Sequence, residues 1–337
     1  MANNYHEPLI SIIIPAYNAE KYIIRALKSI KDQDFKDFEI IFINDGSSDN
    51  TLKLAKDFLA KASLVHKVID QQNSGTSVAR NVGLENAKGK YILFMDADDS
   101  MDCTMLSKLY NKASITGAKM VFCGFKSINL DGEVVFRYKN KLSYIEGILE
   151  GKEVLHKYFN GEVAPSICST LFSKELIISK NLRFTAGCAK GQDREFYLKA
   201  LFNCDKITCI REDLYNYYLT ANSATRIASL SLFHSVGAKK RVIKYIKNID
   251  SSSPFVNYLE NSAIPGQYIS IMAALCKFGF PAKKILALSR NERIRMEIKK
   301  FRPLKKGKAA THAKIEAFIL LYFPLLFYIY HKYFRKL

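Results

Sequence analysis

Three carboxylates, Asp96, Asp98 and Asp99, follow an apolar run in YILFMDADDS (91–100). Carboxylate oxygens are hard ligands suited to Mg²⁺ or Mn²⁺, and Mg²⁺ usually takes one or two carboxylates together with substrate phosphates. Three such groups within four residues repel one another unless a cation joins them. The plainer reading is a helix start, where Asp and Ser cap the backbone and complement the dipole; it suits Asp99 or Ser100 better than Asp96 or Asp98. Asp45 ends a second apolar run, FEIIFIND, and Tyr17 with Asn18 ends a first, LISIIIPAYN. An aromatic and a carboxylate on adjacent strand ends could stack on a base and accept from its ring N–H. Against that, Tyr17 could be a core aromatic, and INDGSSDNT reads as an Asx-type turn before a capped helix. Asp193, in GQDREFYLKAL, fits a helix N-cap.

The elements that must position these groups alternate. LISIIIPAYN (9–18) reads as a strand stopped by Pro15, with Asn18 capping the helix that follows. FEIIFIND is a second strand, and Ser48 or Asp49 is the expected N-cap of helix TLKLAKDFLAKA. HKVIDQ is a weaker third strand, GTSVARNVGLENAKG a helix, KYILFMDADD a fourth strand with a helix to about Thr116, and KMVFCGF a fifth. Alternation over about 125 residues predicts a parallel sheet with helices on both faces, and such sheets bind ligands at the carboxyl ends of their strands. GEVVFRY, STLFSKELI, LRFTAG, GQDREFYLKALF and LYNYYLT follow as short mixed elements to about residue 225, and the chain from about 228 is helical and basic.

SIIIPAYNAEKYIIRALKSI, FEIIFINDGSSDNT, NSGTSVARNVGLENAKGKYILFMDADD, LRFTAG and GQDREFYLKAL stand in the order seen in family 2 glycosyltransferases of the bacterial surface-glycan type, which the chain resembles over residues 8 to 225. The resemblance implies a GT-A fold, a Rossmann-like sheet flanked by helices, a nucleotide-sugar donor that is often UDP-linked, a divalent metal (Mn²⁺ or Mg²⁺), and inversion at the anomeric centre. Carried over residue by residue, Pro15, Tyr17 and Asp45 look like the base-binding set and Arg80 like an arginine of the nucleotide end. Asp96 looks like the ribose-side aspartate, Asp98 like the metal ligand at the diphosphate and Asp193 like the catalytic base. The family's usual Glu before that base is Gln192 here, which keeps hydrogen bonding toward an acceptor hydroxyl but loses a charge. Chemically, a metal would neutralise the leaving diphosphate and a carboxylate would take the proton of the attacking hydroxyl. Inversion needs the base opposite the leaving group, which the 95-residue separation of Asp98 and Asp193 allows.

Charge adds a further expectation. The 337 residues hold 51 Lys and Arg against 32 Asp and Glu, a net +19. Residues 281–310 contain eleven Lys or Arg against two Glu, and AFILLYFPLLFYIY (317–330) follows. At 14 residues, interrupted by Pro324, this run is short for a span of about 20 and suits an interfacial or buried segment. A basic stretch beside an aromatic-rich apolar one fits an anionic membrane surface, with packing on the core or a dimer as the alternative. Nucleic acid is not expected, because no recognised binding module is present. Seven cysteines without a CxxC pair favour neither disulfides nor zinc, and MANNYHEPLI has no signal-peptide pattern.

The expected organisation is therefore a GT-A domain over 1–225, with a nucleotide half at 8–125 and an acceptor half at 126–225, and a basic helical region over 226–337. The expected activity is metal-assisted, inverting transfer of a sugar from a UDP-sugar to a glycan or lipid-linked glycan. Its expected place is the cytoplasmic side of the membrane, peripherally bound. Donor sugar, acceptor, linkage and homo-oligomerisation stay open. Rival readings are a nucleotidyltransferase on a related fold, which would want a Gly-rich basic loop where PAYNAEKY stands, and a non-catalytic sugar-nucleotide-binding protein.

Overall fold

Ile10–Ala16 is β1, a β-branched run buried at every position, as a strand covered on both faces must be. The structure, a computed structural model, describes residues 7–219, 229–304 and 307–334. Strand β1 is followed by helix α1 (Ile23–Lys31), β2 (Phe38–Asp45), α2 (Thr51–Ala62), β3 (His66–Gln71), α3 (Thr76–Asn86) and β4 (Tyr91–Phe94). The strands β1 to β4 pair in parallel, with Ile13 opposite Ile41 on one side and Phe94 on the other. Helix α3 lies close on β1 because Gly83 has no side chain: a Cβ there would stand 2.3 Å from Ile13 Cγ2.

Beyond β4 the expected parallel sheet gives way to a mixed one. The next elements are β5 (Ser100–Met101), α4 (Met105–Thr116), β6 (Met120–Ile128), β7 (Val134–Arg137), α5 (Gly151–Phe159), β8 (Thr170–Ser173), α6 (Lys174–Ser179), α7 (Gln192–Asn203) and β9 (Ile207–Tyr218). Strand order is β3-β2-β1-β4-β8-β6-β9-β5, with β7 on β6. The fifth expected strand, β6, does not join β4. Strand β8 lies between them and runs antiparallel to both.

Three local expectations are corrected. Asn18 does not cap α1: it takes a left-handed backbone (φ 49°) and its Oδ1 accepts from Ser48 N at 2.9 Å, tying the loops after β1 and β2 together. Asn50, not Ser48 or Asp49, stands at the N-cap position of α2, while Asp49 accepts from Glu20 N and Thr51 N. Asp99 and Ser100 begin no helix, since Ser100 enters β5, which pairs antiparallel with β9, and α4 starts only at Met105.

The chain forms two compact units, Met1–Gly187 with Phe196–Ala221, and Cys188–Glu195 with Asn222–Leu337. The sequence reading divided it at 225 and left 188–195 in the first part. Within the second unit run α8 (His234–Ile249), α9 (Pro254–Tyr258), α10 (Ile264–Lys277), α11 (Ala282–Arg290), α12 (Glu292–Lys299), α13 (Lys308–Tyr322) and α14 (Pro324–Ile329), with a helical turn to Phe334. Helix α10 is its centre: Ile264, Tyr268, Ile269, Met272 and Leu275 are buried, and α8, α11, α12, α13 and α14 all pack on it.

Candidate active site

The strand exits of the first unit gather the polar groups. Pro15 lies two residues past Ile13, whose carbonyl accepts the last bond from β4 (from Met95 N), so its missing N–H falls beyond the pairing with β4 while it stays in register with Ile43 of β2. Tyr17, just outside β1, is 55% exposed, an open ring at the sheet's carboxyl edge rather than a core aromatic. Asp45 ends β2 and is buried. Its Oδ1 accepts from Ser74 N (2.9 Å) and Gln71 Nε2 (2.8 Å), and its Oδ2 from Gly75 N (2.8 Å). The carboxylate thus clamps the loop between β3 and α3, and only part of its accepting capacity is left for a base.

Asp96 and Asp98 leave β4. Arg80, buried on α3, donates Nη2 to Asp96 Oδ1 at 2.7 Å. Its guanidinium stands 5.2 Å from the Phe184 ring centre. Phe184 belongs to the LRFTAG segment and is fixed twice: it stacks on Phe196 at 4.4 Å, and Asn81 of α3 bonds both its N–H (2.9 Å) and its carbonyl (2.8 Å). The segment therefore braces Arg80, and Arg80 braces Asp96.

Burial, reinforced by Asp96, pushes the Asp98 carboxyl up to about 6, and Arg25 only partly offsets this. Asp99 is wholly buried. Burial first, then Asp96 and Asp98, hold its carboxyl well above the usual range, while Tyr215 Oη (2.6 Å) and Tyr218 N (3.0 Å) donate to it. Of the three carboxylates, Asp99 is the one that joins the strand exit to β9. Asp96, with 34% of its side chain exposed, and Asp98 are left at the opening.

Residues 11–179, half of the chain, match the sequence pattern of "Glycosyl transferase family 2". The chain belongs to this family. Glycosyltransferase EpsJ of Bacillus subtilis (strain 168) is 33% identical over 65% of this chain and 64% of its own length. The cholesterol galactosyltransferase of Borreliella burgdorferi is 28% identical over 69% of this chain and 66% of its own. In both, the match spans less than two thirds of the relative. Among solved structures, S. aureus TarS 1–349 in complex with UDP-GlcNAc has a TM-score of 0.64 at 18% identity, covering 97% of this chain and 93% of that one. The fold is GT-A.

Within this family 2 chain, the structure brings Arg80, Asp96 and Asp98 together at the exit of β4 and sets Asp45 and Tyr17 at the neighbouring exits. Gln192 and Asp193 belong to the second unit. Asp193 is the second residue of α7, in its first turn and not at its N-cap, and Gln192 Oε1 is buried with no hydrogen-bond partner among the described residues. Sequence reasoning missed Arg25, Asp99's link to Tyr215 and Tyr218, and the bracing role of Phe184. Arg25 of α1 donates to the Asp98 carbonyl and lies 3.5 Å over the Tyr218 ring. A cation inside the apolar stripe YIIRAL was the only signal for it, and nothing local pointed to its partners.

Proposed function

We propose that this chain is an inverting glycosyltransferase that moves a sugar from a nucleoside-diphosphate donor to an acceptor hydroxyl. The observation that carries the reading is the pairing of Asp96 and Asp98 at the exit of β4, one held by Arg80 and the other with its carboxyl pushed up to about 6 by burial and by Asp96. Carboxylates held this close repel one another unless a cation joins them. Among the described residues, no three His, Cys, Asp or Glu side chains form a ready cage for one. That donor set fits Mg²⁺ or Mn²⁺ held by Asp98, with its remaining ligands from donor phosphates and water. When bound, such an ion supplies charge neutralisation for the departing diphosphate.

The chain's own residues do the rest. Tyr17 offers an open ring for a base, and Asp45 orders the loop before α3 and keeps part of a carboxylate for a ring N–H. Asp96, held by Arg80, accepts from ribose hydroxyls in this reading. Asp193 takes the proton of the attacking hydroxyl, and Gln192 Oε1 accepts from another hydroxyl of the same acceptor. A UDP-linked donor is supported by the UDP-GlcNAc bound to TarS, a protein of the same fold. The acceptor in this reading is a glycan or lipid-linked glycan, carried over from the resemblance of the sequence alone.

The test is a panel of UDP-, GDP- and TDP-sugars assayed for release of nucleoside diphosphate with and without Mn²⁺. Release of UDP from one UDP-sugar, abolished by chelation, is expected. Saturable sugar-nucleotide binding without turnover on any donor or acceptor would replace the enzyme by a binding protein.

A further inference from the structure

The segment from α13 to Phe334 has two faces of opposite character. On the inner face Leu320, Leu321 and Phe327 are buried, and Arg295 Nη1 donates to the Leu321 carbonyl at 2.6 Å, so the segment is packed into the second unit. On the outer face Phe318, Tyr322, Phe323, Leu325, Leu326 and Tyr333 are each more than half exposed. The rings at the bend are clustered, with Phe318 4.8 Å from Tyr322 and 6.0 Å from Phe323. Pro324 makes the bend: it is the first residue of α14, where its missing N–H costs nothing. An exposed apolar surface of this kind marks a contact site.

Charge selects the occupant. The only acid in residues 308–334 is Glu316, and its side chain is turned inward, 12% exposed, with His331 Nε2 at 3.4 Å and His312 Nδ1 at 3.7 Å. The outer face is thus free of carboxylates, while Lys308, Lys314 and Lys332 lie in the same segment and eleven Lys or Arg occupy 281–310. No helix among the described residues is long and apolar enough to cross a membrane. Exposed large aromatic and leucine side chains in a lysine-bearing segment, with its one acid withdrawn, are the makeup of a surface that lies in the headgroup region of an anionic bilayer.

We propose that the outer face of α13 and α14 docks on an anionic phospholipid bilayer, with Phe318, Tyr322, Phe323, Leu325 and Leu326 entering the headgroup–acyl boundary and the lysines holding lipid phosphates. The segment does not have to unfold from the protein to do this, since its inner face stays packed. This surface is independent of sugar transfer, and its test reads no activity.

The chain contains no tryptophan, so a single one is a clean reporter. Tyr322→Trp, at a position 56% exposed, is compared in the full chain with Ile115→Trp, 85% exposed in the first unit. Vesicles of phosphatidylcholine with phosphatidylglycerol should shift the Tyr322→Trp emission to the blue and allow quenching by bromine-labelled acyl chains, leaving Ile115→Trp unchanged. Flotation of the unaltered protein should be salt-sensitive and should fall at least tenfold in Leu325→Glu/Leu326→Glu, whose side chains are exposed and whose folding is checked by circular dichroism. Absence of a shift and of flotation at any salt would overturn the proposal, as would equal, salt-insensitive binding to neutral vesicles. A dimer in lipid-free solution that Leu325→Glu/Leu326→Glu converts to monomer, with flotation unchanged, would assign the face to a second copy instead.

Discussion

Arg80 and Asp96 meet at 2.7 Å across the first unit, the arginine buried and the carboxylate a third open. Both were expected at the donor site from the family resemblance, and the structure makes one depend on the other. Arg80 is a positioning residue: it aims Asp96 and pairs with its charge. Replacing it by Met leaves a carboxylate facing two others. Removing one partner of a fully buried pair costs about 3–5 kcal/mol, and the cost here falls below that because Asp96 is partly solvated. We expect Arg80→Met to lower the melting temperature and raise the donor KM, and Arg80→Lys to fall between, since it keeps the charge but loses the fork and the ring contact with Phe184. Wild-type stability and donor KM in Arg80→Met would remove this role.

Asp98→Asn separates function from stability. A folded-state carboxyl raised from 3.8 to about 6 is protonated more readily folded than unfolded, so above pH 6 the ionised group opposes folding. The difference corresponds to about 3 kcal/mol. Asp98→Asn should therefore melt higher than the unaltered protein in chelator at neutral pH while losing donor turnover by orders of magnitude. Added Mn²⁺ should stabilise the unaltered protein and not the variant. Retained metal-dependent turnover in the variant would sink the assignment of Asp98.

Gln192 and Asp193 make a paired test of the acceptor side. A general base is typically worth 10²–10⁴-fold, so Asp193→Asn should lose that much transfer while nucleotide affinity stays within a few-fold. Gln192→Met removes a buried acceptor that lacks a partner among the described residues, and such a group costs about 1–3 kcal/mol. The variant should be no less stable and should show a raised acceptor KM at unchanged donor KM. If donor KM rose as much in either variant, the residue would belong to the donor instead.

How much of this was legible follows from how local each signal is. Helix α2 runs Thr51–Ala62, the residues its apolar period marked out, and β1, β2 and β4 announced themselves because strands buried on both faces are continuous apolar runs. The third strand read weakly because β3 is the exposed edge of the sheet. Strand β8 was invisible as a neighbour of β4: four residues, TLFS, carry no period, and the pairing joins Leu93 to Leu171. At the site, residue types at strand exits located the carboxylates, but not their division of labour. That Asp45 clamps a loop, that Asp99 holds Tyr215 and that Phe184 braces Arg80 are contacts over roughly 30 to 120 residues of chain, which no short motif encodes.

Lys239, on α8 in the second unit, gives a pH signature. Burial, and to a lesser degree Arg194, depress its ammonium from 10.5 to about 8, and its Nζ donates to Gln267 Oε1 at 2.6 Å. The folded state thus gives up this proton more easily than the unfolded one. Below pH 8 the charged Lys239 opposes folding by its full amount, and the penalty is relieved as pH rises from 8 to 10.5, where the unfolded lysine also deprotonates. A shift of this size corresponds to at most about 3 kcal/mol, less whatever the Gln267 bond returns. Lys239→Met should therefore be more stable than the unaltered protein at pH 7, with a gap that narrows steadily toward pH 10.5. Other groups titrate alike in both proteins and cancel in the difference. Urea unfolding of the pair across this range measures it directly. A gap independent of pH would mean that the lysine is solvated in the folded protein, and a gap of opposite sign would mean that its bond to Gln267 outweighs its burial.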